Sequence, residues 1–258
     1  MEEEKNEKNP IEIEPILQVE KLVKSYGKRV VVNELSFMVN PGECYCLFGK
    51  NGIGKSTTLD CIVGLKTKND GIVKLDGLDL DKDPINFKLN LGYVPSEPIL
   101  YEMMTGEEYL KFIGSSYQMI DEVFHRNYQA LLIKFDMPES DMKRRISEYS
   151  HGMKQKVALM ASIIHNPDLW VLDEPTVGLD IMVYKTLVDV INDFKRAKKG
   201  ILIVSHSIDF IFDVATKACL LNNGVIQTTF DLTSRNPYLK TDMRNLFFSI
   251  YKGDKNDY

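Results

Sequence analysis

The chain has 258 residues, 44% hydrophobic and 27% charged, with 37 acidic against 32 basic side chains and a net charge of −5. That length can bury a sizeable core as one large or two small domains, and the acidic balance argues against a nucleic-acid partner held by an overall basic surface. No apolar run approaches the ~18–20 residues of a spanning helix, and Cys44, Cys46, Cys61 and Cys219 form no CxxC pair, which argues against a zinc ribbon or a disulfide scaffold.

Met1–Asn9 is dense in charge where a signal peptide would carry an apolar core, and residues 1–15 read as a solvated polar tail. Strand texture begins at Ile16. Leu35, Phe37 and Val39 alternate with Ser36, Met38 and Asn40, the period of a half-buried antiparallel strand, and Pro41-Gly42 supplies the turn after it. Cys44–Phe48 is a continuous apolar run, as are Leu169–Leu172 and Ile201–Val204 further on. Such runs suit strands covered on both faces of a parallel α/β sheet. From Ser96 to His165 the pattern is helical. Thr105-Gly106-Glu107-Glu108 has the form of a capping box with Tyr109, Ile113 and Tyr117 recurring behind it, Asp121–Phe135 makes a second helix, and a third runs from near Ser150 to Asn166-Pro167. Tyr184, Leu187, Val188, Ile191 and Phe194 keep one face of a later helix; Arg196, Lys198 and Lys199 complement its C-terminus, and Gly200 is expected to end it. A short helical pattern, Ile208–Val214, follows the last apolar run, and Asp231–Ser249 has a mixed pattern. The organisation implied is a mostly parallel α/β core over 16–95 and 166–227, with antiparallel strands at its N-terminal side, a helical insert over 96–165 and a C-terminal extension over 228–258.

In open α/β sheets, ligands gather beyond the carboxyl ends of the strands. The first apolar run ends in Gly49-Lys50-Asn51-Gly52-Ile53-Gly54-Lys55-Ser56-Thr57, which satisfies G-x-x-x-x-G-K-[ST]. Its glycines let backbone N–H groups cradle phosphate oxygens at a helix N-terminus; Lys55 can reach the β and γ phosphates, and the Ser56 hydroxyl can ligate Mg²⁺. The second run ends in Asp173-Glu174-Pro175. Asp173 suits a contact to the same Mg²⁺, the Walker B role, and Glu174 can polarise the attacking water. The third ends in Ser205-His206, where an imidazole can meet a γ-phosphate or hold that water.

Together with Tyr149-Ser150-His151-Gly152-Met153-Lys154-Gln155-Lys156, these segments resemble the ATP-binding cassette (ABC) ATPases, the nucleotide-binding subunits of ABC transporters. The octapeptide is similar to the family signature usually written LSGGQ, and the resemblance covers roughly Leu17 to Gln227. It implies a P-loop, RecA-like α/β core with an antiparallel β subdomain and an inserted α-helical subdomain. It also implies that Tyr26 stacks on adenine, that Ser150 and Gly152 face a γ-phosphate held by a second cassette, that Asp180 is the D-loop aspartate and that His206 is the switch histidine. The expected cofactors are ATP and Mg²⁺. The expected partners are a second cassette, identical or not, and a membrane permease, with no nucleic acid; the expected place is cytoplasmic, on the inner face of the cell membrane. The stretch from Ser96 to Thr105, with Tyr101, Met103 and Met104, is a candidate permease-docking surface, although a core role for these side chains is equally open.

Two features depart from the family pattern. Ser96, followed by Glu97, stands where the Q-loop glutamine is usual, so that Glu97 or a water substitutes for it or the contact is missing. In the signature, His151 replaces the first glycine and Met153 the glutamine, a form similar to a branch of bacterial exporters. Two further readings stay open on the sequence: a soluble ABC ATPase, such as one assisting iron–sulfur cluster assembly, and a regulatory subunit that binds ATP and barely hydrolyses it.

Overall fold

A computed structural model describes residues 14–234 and 236–253, so the polar tail expected over 1–15 lies almost wholly outside the described residues. A four-stranded antiparallel sheet has the order β2-β1-β4-β5, from β1 (Leu17–Tyr26), β2 (Arg29–Val39), β4 (Asp70–Leu75) and β5 (Leu78–Asp79). A six-stranded sheet has the order β10-β9-β3-β8-β7-β6, from β3 (Cys44–Phe48), β6 (Leu91–Val94), β7 (Leu169–Asp173), β8 (Gly200–Val204), β9 (Lys217–Asn222) and β10 (Val225–Asp231). All its pairings are parallel except that of β9 with β10.

Every residue of β3, β7 and β8 is buried, and the period of two explains how. Cys44, Cys46, Phe48, Trp170, Leu172, Ile201 and Ile203 point into one hydrophobic core, while Tyr45, Leu47, Leu169, Val171, Leu202 and Val204 point into another on the opposite face. The second core is closed by α1 (Lys55–Ile62), by α2 (Pro84–Leu89) and by the antiparallel sheet, where Leu35, Phe37 and Val39 turn inward and Ser36 and Met38 outward. The Phe37 ring stacks on Tyr45 at 4.8 Å between centroids.

The first core is closed by α3 (Gly106–Ser116), α4 (Asp121–Phe135), the short α5 (Glu139–Met142), α6 (His151–Ile163), α7 (Ile181–Arg196), α8 (Ile208–Val214) and α9 (Pro237–Gly253). Thr105 and Glu108 make the reciprocal hydrogen bonds of a capping box at the start of α3. The α6 helix stops ahead of Asn166, whose φ is +59°, and Pro167. Trp170 on β7 donates its indole N–H to Ser162 Oγ of α6 at 2.9 Å, which pins the insert to the central sheet.

The end of α7 differs from the sequence expectation. Ala197 caps the helix and Lys198 takes the left-handed turn with φ +61°, so the reversal is complete before Gly200, which opens β8. The absence of a side chain at Gly200 makes room for Ile16, which stands 2.9 Å from where a Cβ would lie. The C-terminal segment forms α9, with Met243 buried and the Phe247 ring 6.3 Å from Phe48; Asp209 on α8 pairs with Lys240 at 2.8 Å and Arg244 at 3.4 Å. No helix among the described residues is long and apolar enough to cross a membrane.

Candidate functional site

The registers of the central sheet build the site. Leu47 of β3 and Asp173 of β7 both lie opposite Val204 of β8, so these adjacent parallel strands end together at one edge. The loop after β3 enters α1 without a side-chain cap, through Gly52 (φ +78°) and Gly54 (φ +109°). A Cβ on Gly54 would lie 2.8 Å from the Val31 carbonyl, so glycine is required both by conformation and by the closeness of β2. The first-turn N–H groups of α1 are therefore left to an external anion.

Lys55 is 5% exposed and folds back over this loop, donating to the carbonyls of Gly49 at 2.8 Å and Lys50 at 2.9 Å. Burial pulls its pKa below the ordinary lysine value, against the opposing fields of Glu174 and Asp173. Ser56 donates from Oγ to Asp173 Oδ1 at 3.3 Å. The Asp173 carboxyl is 4% exposed, and burial pushes its pKa up, with Glu174 and Asp60 adding to the rise and Ser56 and Lys55 opposing it. Just past the strand, Glu174 has φ +48°, a left-handed position that swings its side chain off the line of β7. Its Oε2 accepts from the His206 backbone N–H at 3.2 Å and from His206 Nδ1 at 2.8 Å.

These groups open into one cleft of about 560 Å³, lined by Tyr26, Asn51, Gly52, Gly54, Lys55, Ser56, Thr57 and Glu174 among the expected residues. Gly49 lies behind the loop, where a Cβ would be 2.6 Å from the Leu221 carbonyl. Asp173 reaches the cleft through Ser56, and His206 through Glu174. Tyr26 is 47% exposed at the end of β1. Arg29, paired with Tyr26 across the β1–β2 turn, and Val31 also line the cleft from β2; nothing in the motif pattern marks them.

Ser150, Gly152 and Asp180 do not line this cleft. They gather instead at the N-termini of α6 and α7. Ser150 Oγ accepts from the Met153 N–H at 3.3 Å, and Asp180 Oδ1 accepts from Met182 and Val183, each at 2.9 Å. A Cβ on Gly152 would be 2.9 Å from Asp180 Oδ2. His151, in place of the first signature glycine, sets Nε2 against Gln155 Nε2 at 2.9 Å, and Gln155 also donates to the Val177 carbonyl at 3.2 Å. Ser96 shares a small crevice of about 30 Å³ with Gln155 and Glu174, whereas Glu97 does not line it. In the candidate docking stretch, Ile99, Tyr101 and Met103 are exposed, while Met104 packs against the core of the insert.

The donor set at Ser56 and Asp173 fits Mg²⁺. Two hard oxygens stand side by side, and the buried carboxylate calls for a cation. No group of three or more His, Cys, Asp or Glu side chains that could hold a metal occurs among the described residues. A sparse set is what an ion completed by phosphates and waters needs.

Residues 32–177 match the family described as ABC transporter. The chain is 31% identical over 246 residues to the ABC-type transporter ATP-binding protein EcsA of Bacillus subtilis (strain 168), covering 93% of this chain and 98% of that protein. It is also 31% identical over 211 residues to the Nod factor export ATP-binding protein I of Paraburkholderia xenovorans (strain LB400), covering 82% of this chain and 69% of that protein. A solved ATP-binding subunit of an ABC transporter superposes with a TM-score of 0.80 at 30% identity, covering 85% of this chain and 91% of its own.

Proposed function

The chain belongs to the ABC transporter family as an ATP-binding subunit, an ABC-type ATPase, and from that premise we propose how its residues divide the work of hydrolysing ATP to drive export through a separate membrane permease. The observation that supports the reading is that Lys55, Ser56 and Glu174 line one cleft, with Asp173 bonded behind Ser56 and His206 behind Glu174.

In this reading Tyr26 stacks on the base and the loop from Gly49 to Gly54, with Asn51 and Thr57, wraps the phosphates. Lys55 leaves the loop carbonyls to meet the β and γ phosphates. Ser56 and Asp173 would hold Mg²⁺, which supplies charge neutralisation on the phosphates. Glu174 orients the attacking water, and His206 holds that carboxylate in place and senses the γ-phosphate. Ser150 and Gly152 face the γ-phosphate of a second cassette, whose own signature closes over this cleft, and Asp180 links the two sites. Val177, Ile181 and Met182, all exposed beside Asp180, give that face the apolar surface a second cassette would cover. The core (16–95 with 166–227) carries the cleft and the insert (96–165) carries Ser150 and Gly152. The exposed Ile99, Tyr101 and Met103 on the insert dock on the permease, at the inner face of the membrane. Export, rather than import, follows the Nod factor relative.

Glu174→Gln tests the assignment. It keeps the size and the hydrogen bond of the side chain but removes the carboxylate, so ATPase turnover should fall by about a hundredfold or more, while Mg-ATP binding persists and an ATP-bound dimer accumulates on size-exclusion chromatography with light scattering. Unchanged turnover removes Glu174 from the chemistry.

A further inference from the structure

We propose that Lys24 is a positioning residue for the nucleotide base, backing the ring of Tyr26 with a fixed positive charge. This rests on the reading of Tyr26 as the stacking residue.

Lys24 and Tyr26 are two apart on β1 and so lie on the same face of the strand. The Lys24 ammonium stands 5.0 Å from the centroid of the Tyr26 ring, within cation–π range. It is also held, donating to the Thr67 carbonyl at 2.6 Å. Tyr26 lines the nucleotide cleft and Lys24 does not, which leaves the cleft side of the ring to the base.

The anchor of Lys24 belongs to the segment that leaves the phosphate-loop helix. At the end of that segment, just before β4, Asn69 donates its N–H to the Val23 carbonyl at 2.8 Å and accepts from the Ser25 N–H through Oδ1 at 2.7 Å. Lys66 pairs with Asp60 of α1 at 2.9 Å, and its pKa is raised chiefly by Asp60 and in smaller part by the Tyr26 hydroxyl. One end of α1 thus presents Lys55 and Ser56 to the phosphates, and the segment after its other end stitches down the strand that carries Tyr26. An exposed tyrosine would otherwise lose rotamer freedom on stacking. Here the ring is already held, and the ammonium draws π density away from the face offered to the base, which lowers the repulsion between the two π clouds.

The full chain is titrated with Mg-ATP and, separately, with Mg-tripolyphosphate, by calorimetry. Lys24→Met keeps the aliphatic stem and removes the charge; it should weaken ATP about three- to fivefold and leave tripolyphosphate unchanged, with Lys24→Arg restoring ATP affinity. Tyr26→Ala should weaken ATP more, and adding Lys24→Met to it should cost nothing further. Equal weakening of ATP and tripolyphosphate overturns the proposal, as does a Lys24→Met effect that survives in the Tyr26→Ala background or is absent in the wild-type one. Unchanged ATP affinity in Tyr26→Ala instead removes the stacking assignment itself.

Discussion

The nucleotide cleft and the Ser150–Gly152–Asp180 cluster are both built at helix N-termini, and they differ in what those termini face. At α1 the first turn has no side-chain cap, and the chain surrounds it with Lys55, Asp173 and Glu174, most of them buried. At α6 and α7 the termini are capped by their own Ser150 and Asp180, and the surroundings are exposed apolar side chains, Val177, Ile181 and Met182. The first region leaves an uncapped helix start open to a cleft lined by its own polar groups. The second uses Ser150 Oγ and Asp180 Oδ1 on its own helix caps and has an open apolar face beside them. Ser150, Gly152 and Asp180 do not line the nucleotide cleft, and the two regions meet at a small crevice shared by Glu174 and Val177, so one terminus is open to an anion while the other sits beside an exposed apolar surface.

The largest expected effect separates the two regions most sharply. Lys55→Ala removes a buried cation from the phosphate loop and should weaken Mg-ATP binding to the single chain at least about 100-fold, read by calorimetry; retained affinity would break the assignment of the first region. Gly152→Asp acts on the second. It sets a carboxylate against Asp180 Oδ2 and against any incoming phosphate, so ATPase of the assembled transporter should fall about 100-fold or more. ATP affinity of the isolated chain should stay within about twofold, because Gly152 does not line the nucleotide cleft and a Cβ there meets only Asp180 and Val183. A matching loss of single-chain affinity would collapse the two regions into one.

What the sequence shows and what it hides follow from the range of the interactions involved. The central strands are legible because burial on both faces leaves no polar positions to blur the run, and because the registers bring their ends together wherever the chemistry is written. The capping box at Thr105 and the cap at Ser150 are legible because they close within four residues. Gly200 misleads: a glycine after a helix reads as its cap, yet Lys198 accepts the left-handed turn and the glycine is spent on contact with Ile16, far away in sequence. Arg29 and Lys24 carry no motif: Arg29 lines the cleft from β2, and Lys24 comes to lie over the Tyr26 ring where β1 meets the segment after α1. Gln155 likewise reaches Val177 across 22 positions, a contact no local pattern announces.

The smallest effect sharpens the comparison from the side of stability. Because burial raises the Asp173 pKa, the folded chain holds a proton at pH values where the unfolded chain, near the ordinary ~3.9, has already lost it. The folded state binds more protons in that window, so ligand-free stability falls as pH rises through it and, at neutral pH, the ionised carboxylate is a cost. Asp173→Asn removes that cost and should raise the ligand-free melting temperature by about 2–4 °C, on the order of 1 kcal/mol. Wild type should gain stability on adding Mg-ATP, about 2.7 kcal/mol at a hundredfold excess over the dissociation constant, and that gain should shrink as pH drops through the raised carboxyl pKa. The variant should gain little at any pH, because an amide gives the cation no charge. Differential scanning calorimetry with and without Mg-ATP reads both signs at once. A destabilised variant that still gains the wild-type increment would mean that Asp173 serves the fold and that the cation is held elsewhere in the cleft.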